Sequence, residues 1–198
     1  MERKKYHHGD LKQALIEAGV KILKEEGIGA LTLRSAARAA GVSHSAPYAH
    51  FTDKQSLLAA ISTRGFLTLQ ERLIATAGQY ANSPGDLIVE TAWTYVQFAM
   101  AEPALFKMMF SGILEDEHTY PEFMSTVRIT YHHLVEVVET CQAAGVLPPG
   151  DAEEMAIAVW SLVHGFVSLY LERQIPGQLL DKFQLKELLS HSLKSIFK

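Results

Sequence analysis

Residues 31–54, LTLRSAARAAGVSHSAPYAHFTDK, constrain this chain most, because two short helical patterns meet at the tight corner Gly41-Val42-Ser43. Thr32 is placed to cap the first helix, and Leu33, Ala36, Ala37 and Ala40 fall at the three-to-four spacing of one buried stripe. Gly41 ends that helix, since glycine tolerates the left-handed backbone just past a C-terminus, and Val42 plugs the space between the two helices. Ser43 is expected to cap a second helix barely two turns long, whose first turn presents His44, Ser45 and Ala46. Pro47 is tolerated so early because most first-turn amides lack carbonyl partners. Tyr48 and His50 follow two apart, Phe51 is suited to anchoring the helix, and Thr52 is expected to cap a third helix with Lys54 in its first turn. A cation there opposes the helix dipole by about 0.3–1 kcal/mol, a conflict that a phosphate would remove. A single Tyr or Lys on a short helix, taken alone, also reads as a solvated surface side chain. The ordered set has the build of a DNA-reading helix-turn-helix.

Residues 10–60, and GVSHSAPYAHFTDKQSLLAAI above all, resemble the N-terminal domain of the TetR family of bacterial transcriptional repressors. The resemblance implies an all-α fold: an N-terminal three-helix helix-turn-helix DNA-binding domain, then a larger helical ligand-binding and dimerisation domain. It implies that Tyr48, His50 and Lys54 clamp phosphates and that His44, Ser45 and Ala46 face base edges. Pro47 stands where a Leu is usual, and Ala46 where Gly or Thr is frequent, so base specificity is unreadable. HHGDL near the start, with Trp160 and His164-Gly165, resembles a subgroup with a Trp-His-Gly feature in its C-terminal domain.

Charge is unevenly distributed. The whole chain has a formal net charge of −4, yet residues 1–54 carry nine Lys/Arg against six Asp/Glu, and the remainder is acidic. The positive end coincides with the corner, as attraction to phosphates requires. Arg3, Lys4 and Lys5 read either as a basic arm on the duplex or as a solvated terminus. No apolar segment follows them, so they form neither a secretory signal nor a membrane anchor, and a cytoplasmic location is expected. The single cysteine, Cys141, reads as a buried small hydrophobe.

The pattern stays helical throughout. A first helix is predicted over 10–26, with Leu11, Leu15, Ala18 and Ile22 on one face and Gly27 closing it. A long helix is predicted from Asp53 to the break at Asn82-Ser83-Pro84-Gly85, able to start in the DNA-binding domain (1–54) and finish in the regulatory and dimerisation domain (55–198). Further helices are predicted over 86–101, 103–110, 120–144, 151–173 and 185–197.

The stretch Met155–Leu171, MAIAVWSLVHGFVSLYL, has no acidic residue, Lys or Arg. A helix apolar on nearly all sides must be buried on nearly all sides. The run is at the short limit for a membrane span and contains Ser161, His164, Gly165 and Ser168, which favours a helix sandwiched between its own domain and a second copy. A homodimer through the helices 153–173 and 184–197 is therefore expected, with Gly165 permitting close approach and Leu185, Leu188, Leu189, Leu193 and Ile196 completing a four-helix seam. Two recognition helices about 34–36 Å apart would read a near-palindromic operator in double-stranded DNA. Thr32 and Arg34 are expected to add phosphate contacts, and Ser43 belongs to the same DNA-binding set.

A small-molecule effector is the third expected partner. Met100, Phe106, Met108, Met109, Phe110, Phe123 and Met124 offer adaptable apolar surface, and Trp160 and His164 lie one helical turn apart, although ordinary core packing explains the same residues. No cofactor is expected. His132-His133 with Glu136 lacks a further well-spaced metal ligand, and Ser161 with His164 lacks a nucleophile elbow, a positioned acid and an oxyanion site. A helical enzyme and a ligand-insensitive DNA-binding dimer are the rival readings.

Overall fold

The computed structural model describes residues 8–196, with side chains placed for residues 11–195. Arg3, Lys4, Lys5 and the side chain of Ile196 lie outside the described residues. Among those described the secondary structure is helical, without strands: α1 (His8–Glu26), α2 (Leu33–Ala39), α3 (Lys54–Gln79), α4 (Pro84–Ala101), α5 (Pro103–Met109), α6 (Pro121–Ala143), α7 (Ala152–Leu171), α8 (Gly177–Lys182) and α9 (Leu185–Ile196).

The chain divides into two compact units. The first comprises Met1–Leu67 and Ala104–Val127, the second Thr68–Pro103 and Arg128–Lys198. A boundary at residue 54 therefore differs from the contact boundary, because α3 contributes Lys54–Leu67 to the first unit.

In the first unit α1 buries Leu15, Ile16, Ala18, Ile22 and Leu23, and α3 buries Leu57, Leu58 and Ile61. The helices approach closely at Gly19, where an added Cβ would lie 2.5 Å from Ile61 Cδ1. Phe66 of α3 packs edge-on against Phe110 and Phe123, with ring centroids 5.3 and 5.9 Å away, and Phe106 lies 5.0 Å from Phe110. Such pairs add about 0.5–1.5 kcal/mol each beyond area burial.

In the second unit α4 is buried along Leu87, Ile88, Ala92, Tyr95, Val96 and Ala99 and packs on α7 and α9. Asp151 caps α7 by accepting from Glu153 and Glu154 N–H. Lys186 of α9 donates to both carboxylate oxygens of Glu90 at 2.6 and 2.7 Å.

Helix α7 buries one stripe within its own chain, Ala156, Val159, Val163 and Val167, and leaves Ile157 and Leu169 about half exposed at 48% and 51%, on the side where a second copy is expected. Two expectations need correction here. Leu189 and Leu193 of α9 are instead buried within this unit, so they are not open to form a seam with another chain. Finally, the break around Ile175-Pro176-Gly177 is followed by the six-residue α8, a length too short for a hydrophobic period to register.

Candidate nucleic-acid interface

The corner is built from local hydrogen bonds. Thr32 Oγ1 accepts from Ser35 N–H at 3.0 Å while Ser35 Oγ accepts from Thr32 N–H at 2.9 Å, a reciprocal capping box that fixes the start of α2. Gly41, at φ 69°, ends the helix in left-handed geometry. Val42 N–H then reaches back to Ala37 C=O at 3.0 Å and Gly41 N–H to Arg38 C=O at 3.2 Å, so the last carbonyls are satisfied.

The segment that follows is not the two-turn helix expected. It is a single 3-10 turn, Ala46–Ala49, with no side-chain cap, and Ser43 Oγ instead lies 3.2 Å from Ser45 Oγ. Pro47 explains the difference. An α-turn here needs a donor at position 47 for Ser43 C=O, which proline lacks, and that carbonyl accepts from Ala46 N–H at 3.0 Å instead. So short a turn has little dipole to offer a phosphate, and the side chains must do the binding. Pro47 is itself buried, and Phe51 is 2% exposed, so ring and proline anchor the turn from beneath.

The cap of α3 is also reassigned. Asp53, not Thr52, accepts from Ser56 N–H at 2.8 Å, while Ser56 Oγ accepts from Asp53 N–H at 3.2 Å. The Ser56 N–H bond holds the Asp53 carboxyl below its ordinary pKa.

Thr32, Arg34, Ser43, His44, Ser45 and Tyr48 are exposed, whereas Ala46, His50 and Lys54 are half-buried. Tyr48 exposes 57% of its surface although its neighbour Pro47 is buried. Lys54 Nζ donates to Ile28 C=O at 3.3 Å, which places the cation beside the 3-10 turn Ile28–Ala30. Arg38 is exposed one helical turn beyond Arg34 on α2, a cation that the i, i+4 spacing of the two arginines could have revealed.

The candidate effector residues separate into two groups. Phe106, Met109, Phe110, Phe123 and Met124 fall in the first unit and form or border the aromatic cluster on Phe66; Met100, Trp160 and His164 fall in the second. Met100 is 38% exposed, while Phe106, Met109 and Phe123 are buried. A shallow cavity of about 300 Å³ is lined instead by Tyr170, Leu171, Arg173, Ile175 and Leu180.

Trp160 and His164 are joined through a residue that the sequence did not single out. Trp160 Nε1–H donates to Tyr95 Oη at 3.2 Å, and Tyr95 Oη lies 2.8 Å from His164 Nδ1. The Tyr95–His164 hydrogen bond can run in either direction, the imidazole tautomer deciding which atom donates. Burial holds His164 below its ordinary pKa and pushes Tyr95 well above its own, the Trp160 bond opposing the latter. Nδ1 of His164 is engaged by Tyr95, while Ser161 is exposed.

Glu136 takes His133 Nδ1–H at 2.9 Å, with His132 Nε2 3.8 Å away, and Gln70 Nε2 lies 3.4 Å from His133 Nε2. No group of three or more metal-ligating side chains is set to hold an ion among the described residues. Cys141 is buried, and that burial pushes its thiol up to about 11.

Residues 15–61 match the bacterial regulatory proteins of the tetR family, and residues 88–193 match the tetracyclin repressor-like C-terminal domain. The chain is 23% identical over 187 residues to the uncharacterized HTH-type transcriptional regulator YvkB of Bacillus subtilis, covering 90% of each. A structure of a protein of unknown function from Rhodococcus sp. RHA1 superposes with a TM-score of 0.83 at 29% identity, covering 98% of this chain and 97% of that one. A bacterial regulatory protein in the tetR family from Rhodococcus RHA1 shares the fold with a TM-score of 0.67 at 22% identity, over 92% and 96% of the two chains.

Proposed function

The chain belongs to the TetR family of DNA-binding transcriptional regulators, and from that premise we propose that it is a repressor that holds a near-palindromic operator as a homodimer and releases it when a small molecule binds. The observation that carries the reading is the exposed row Thr32, Arg34, Ser43, His44, Ser45 and Tyr48 on one locally capped corner. In this reading Thr32, Arg34, Ser43, Tyr48, His50 and Lys54 fix position through phosphates. His44 and Ser45 read base edges, and Ala46 offers a methyl to a thymine.

One such corner contacts too few bases to select a genomic site. The apolar outer face of α7, with Ile157, Leu169 and the open backbone at Gly165, supports pairing with a second copy. Two corners then meet successive major grooves. The effector acts at the packed aromatic cluster of Phe106, Met109, Phe110, Phe123 and Met124, or beside Met100, Trp160 and His164. Its regulatory effect is bounded by its preference for one arrangement of the chain over another. A protein that works on genomic DNA in this way acts in the cytoplasm.

Selection of bound sites from a random duplex pool tests the reading. Symmetric half-sites separated by about one helical turn are expected. An asymmetric consensus, or no enrichment, overturns it, and operator affinity unmoved by every small molecule that binds the chain would leave a ligand-insensitive dimer.

A further inference from the structure

The first turn of α3 is tied to a distant loop through one side chain. Gln55 Nε2 donates to Ile113 C=O at 3.3 Å, and Gln55 Oε1 accepts from Glu115 N–H at 3.4 Å, so the amide bridges the backbone of residues 113–115 in both directions. Gln55 is half-buried and directly follows Lys54.

The loop on the other side of this bridge is well supported. Gly112, at φ 64°, lies in the turn that follows α5, Leu114 is 7% exposed, and Asp116 accepts from His118 N–H and Thr119 Oγ1–H at 3.1 Å each. Its two ends run into Phe110 and Phe123, the rings that pack on Phe66. Helix α3 is therefore held to this strut twice, at Gln55 and, eleven residues on, at Phe66. All of these residues belong to the first compact unit. Burial, with the charges of Asp53, Glu115 and Asp116 nearby, pushes Tyr120 above its ordinary pKa.

We propose that Gln55 is a positioning residue for DNA binding: its amide latches the first turn of α3, and with it Lys54 and the recognition turn, to the strut of residues 110–120. This rests on the DNA-binding reading of residues 32–54. A shift of α5 or the start of α6 against Phe66 is felt at the latch, since a strut braced at Gly112, Leu114 and Asp116 moves as a piece. The latch contacts no DNA, so it changes how well the corner is pre-arranged and leaves the number of phosphate contacts unaltered.

The test uses the full chain and the duplex recovered by the wild type from a random pool, beside a scrambled duplex. Gln55→Ala removes both bonds and weakens the selected duplex about five- to tenfold, the range expected for lost neutral hydrogen bonds, with an unchanged salt slope. Gln55→Met keeps the length and apolar packing of the side chain but also lacks both bonds, so it loses the same factor, and both variants bind the scrambled duplex within twofold of the wild type. The latch is refuted if either variant binds the selected duplex within twofold of wild type, or if the scrambled duplex weakens in parallel. Failure of the wild type to enrich any duplex removes the DNA-binding reading itself, and the latch with it.

Discussion

The corner at residues 32–54 and helix α7 each leave one face unused by their own chain, but in opposite chemistries. The corner turns hydroxyls, an imidazole and arginines outward from α2 and from the short 3-10 segment that follows it, a shape that depends on hydrogen bonds within about twenty residues. Helix α7 runs for 20 residues, buries four side chains and keeps large aliphatic groups at its surface. A polar face of this kind suits a partner that is met and left in water, whereas an apolar face is stable only when covered. Affinity for the duplex and the durability of the proposed pair would therefore have separate physical origins, and separate substitutions should reach them.

The largest effect is expected at α7. Leu169→Glu places a charge on the outer face without disturbing a buried contact, and should weaken self-association on the order of 100-fold, read by sedimentation equilibrium. An unchanged dimer would show that this face is not the one covered.

Next comes the division of labour within the corner. Ser45→Ala should relax preference at one base pair by about 1–3 kcal/mol, while Lys54→Ala should weaken every sequence and lower the salt slope by about one. Titrations of matched and mismatched duplexes at several salt concentrations separate the two, and equal loss on all sequences for both would break the distinction.

Smaller still is the capping box. Thr32→Ala should cost about 1 kcal/mol in urea unfolding, because Ser35 N–H loses its acceptor at the start of α2.

The inner face of α7 supplies the smallest effect. His164 has a folded pKa below its ordinary value of 6.5, so the folded chain takes up fewer protons than the unfolded one as pH falls. Stability from this group is complete above that value and declines as pH drops through it toward the lowered folded pKa. Thermal unfolding at pH 7.5 and 5.5 should show a loss on acidification that is smaller in His164→Gln. An equal loss in both would place the acid sensitivity elsewhere.

Legibility followed the range of the interactions. The ends of α2 were readable because Thr32, Ser35 and Gly41 act on backbone groups within five residues. The missing donor of Pro47 shortens the recognition element to one turn, which propensity alone does not reveal. Thr52 and Asp53 are both competent caps, and only the position of Ser56 decides for Asp53. Tyr95 and Gln55 were invisible for a different reason. Their partners lie 69 and 58 residues away, and no local pattern marks a side chain that acts across such a separation.

The recognition turn rests on Pro47 and Phe51 beneath and on backbone caps at either side, while the side chains of His44 and Ser45 face solvent and brace neither α2 nor α3. Exchanging them should hardly alter the folding equilibrium. Lineages carrying this scaffold can thus explore new target sites by drift at two or three codons, with the architecture indifferent to the outcome.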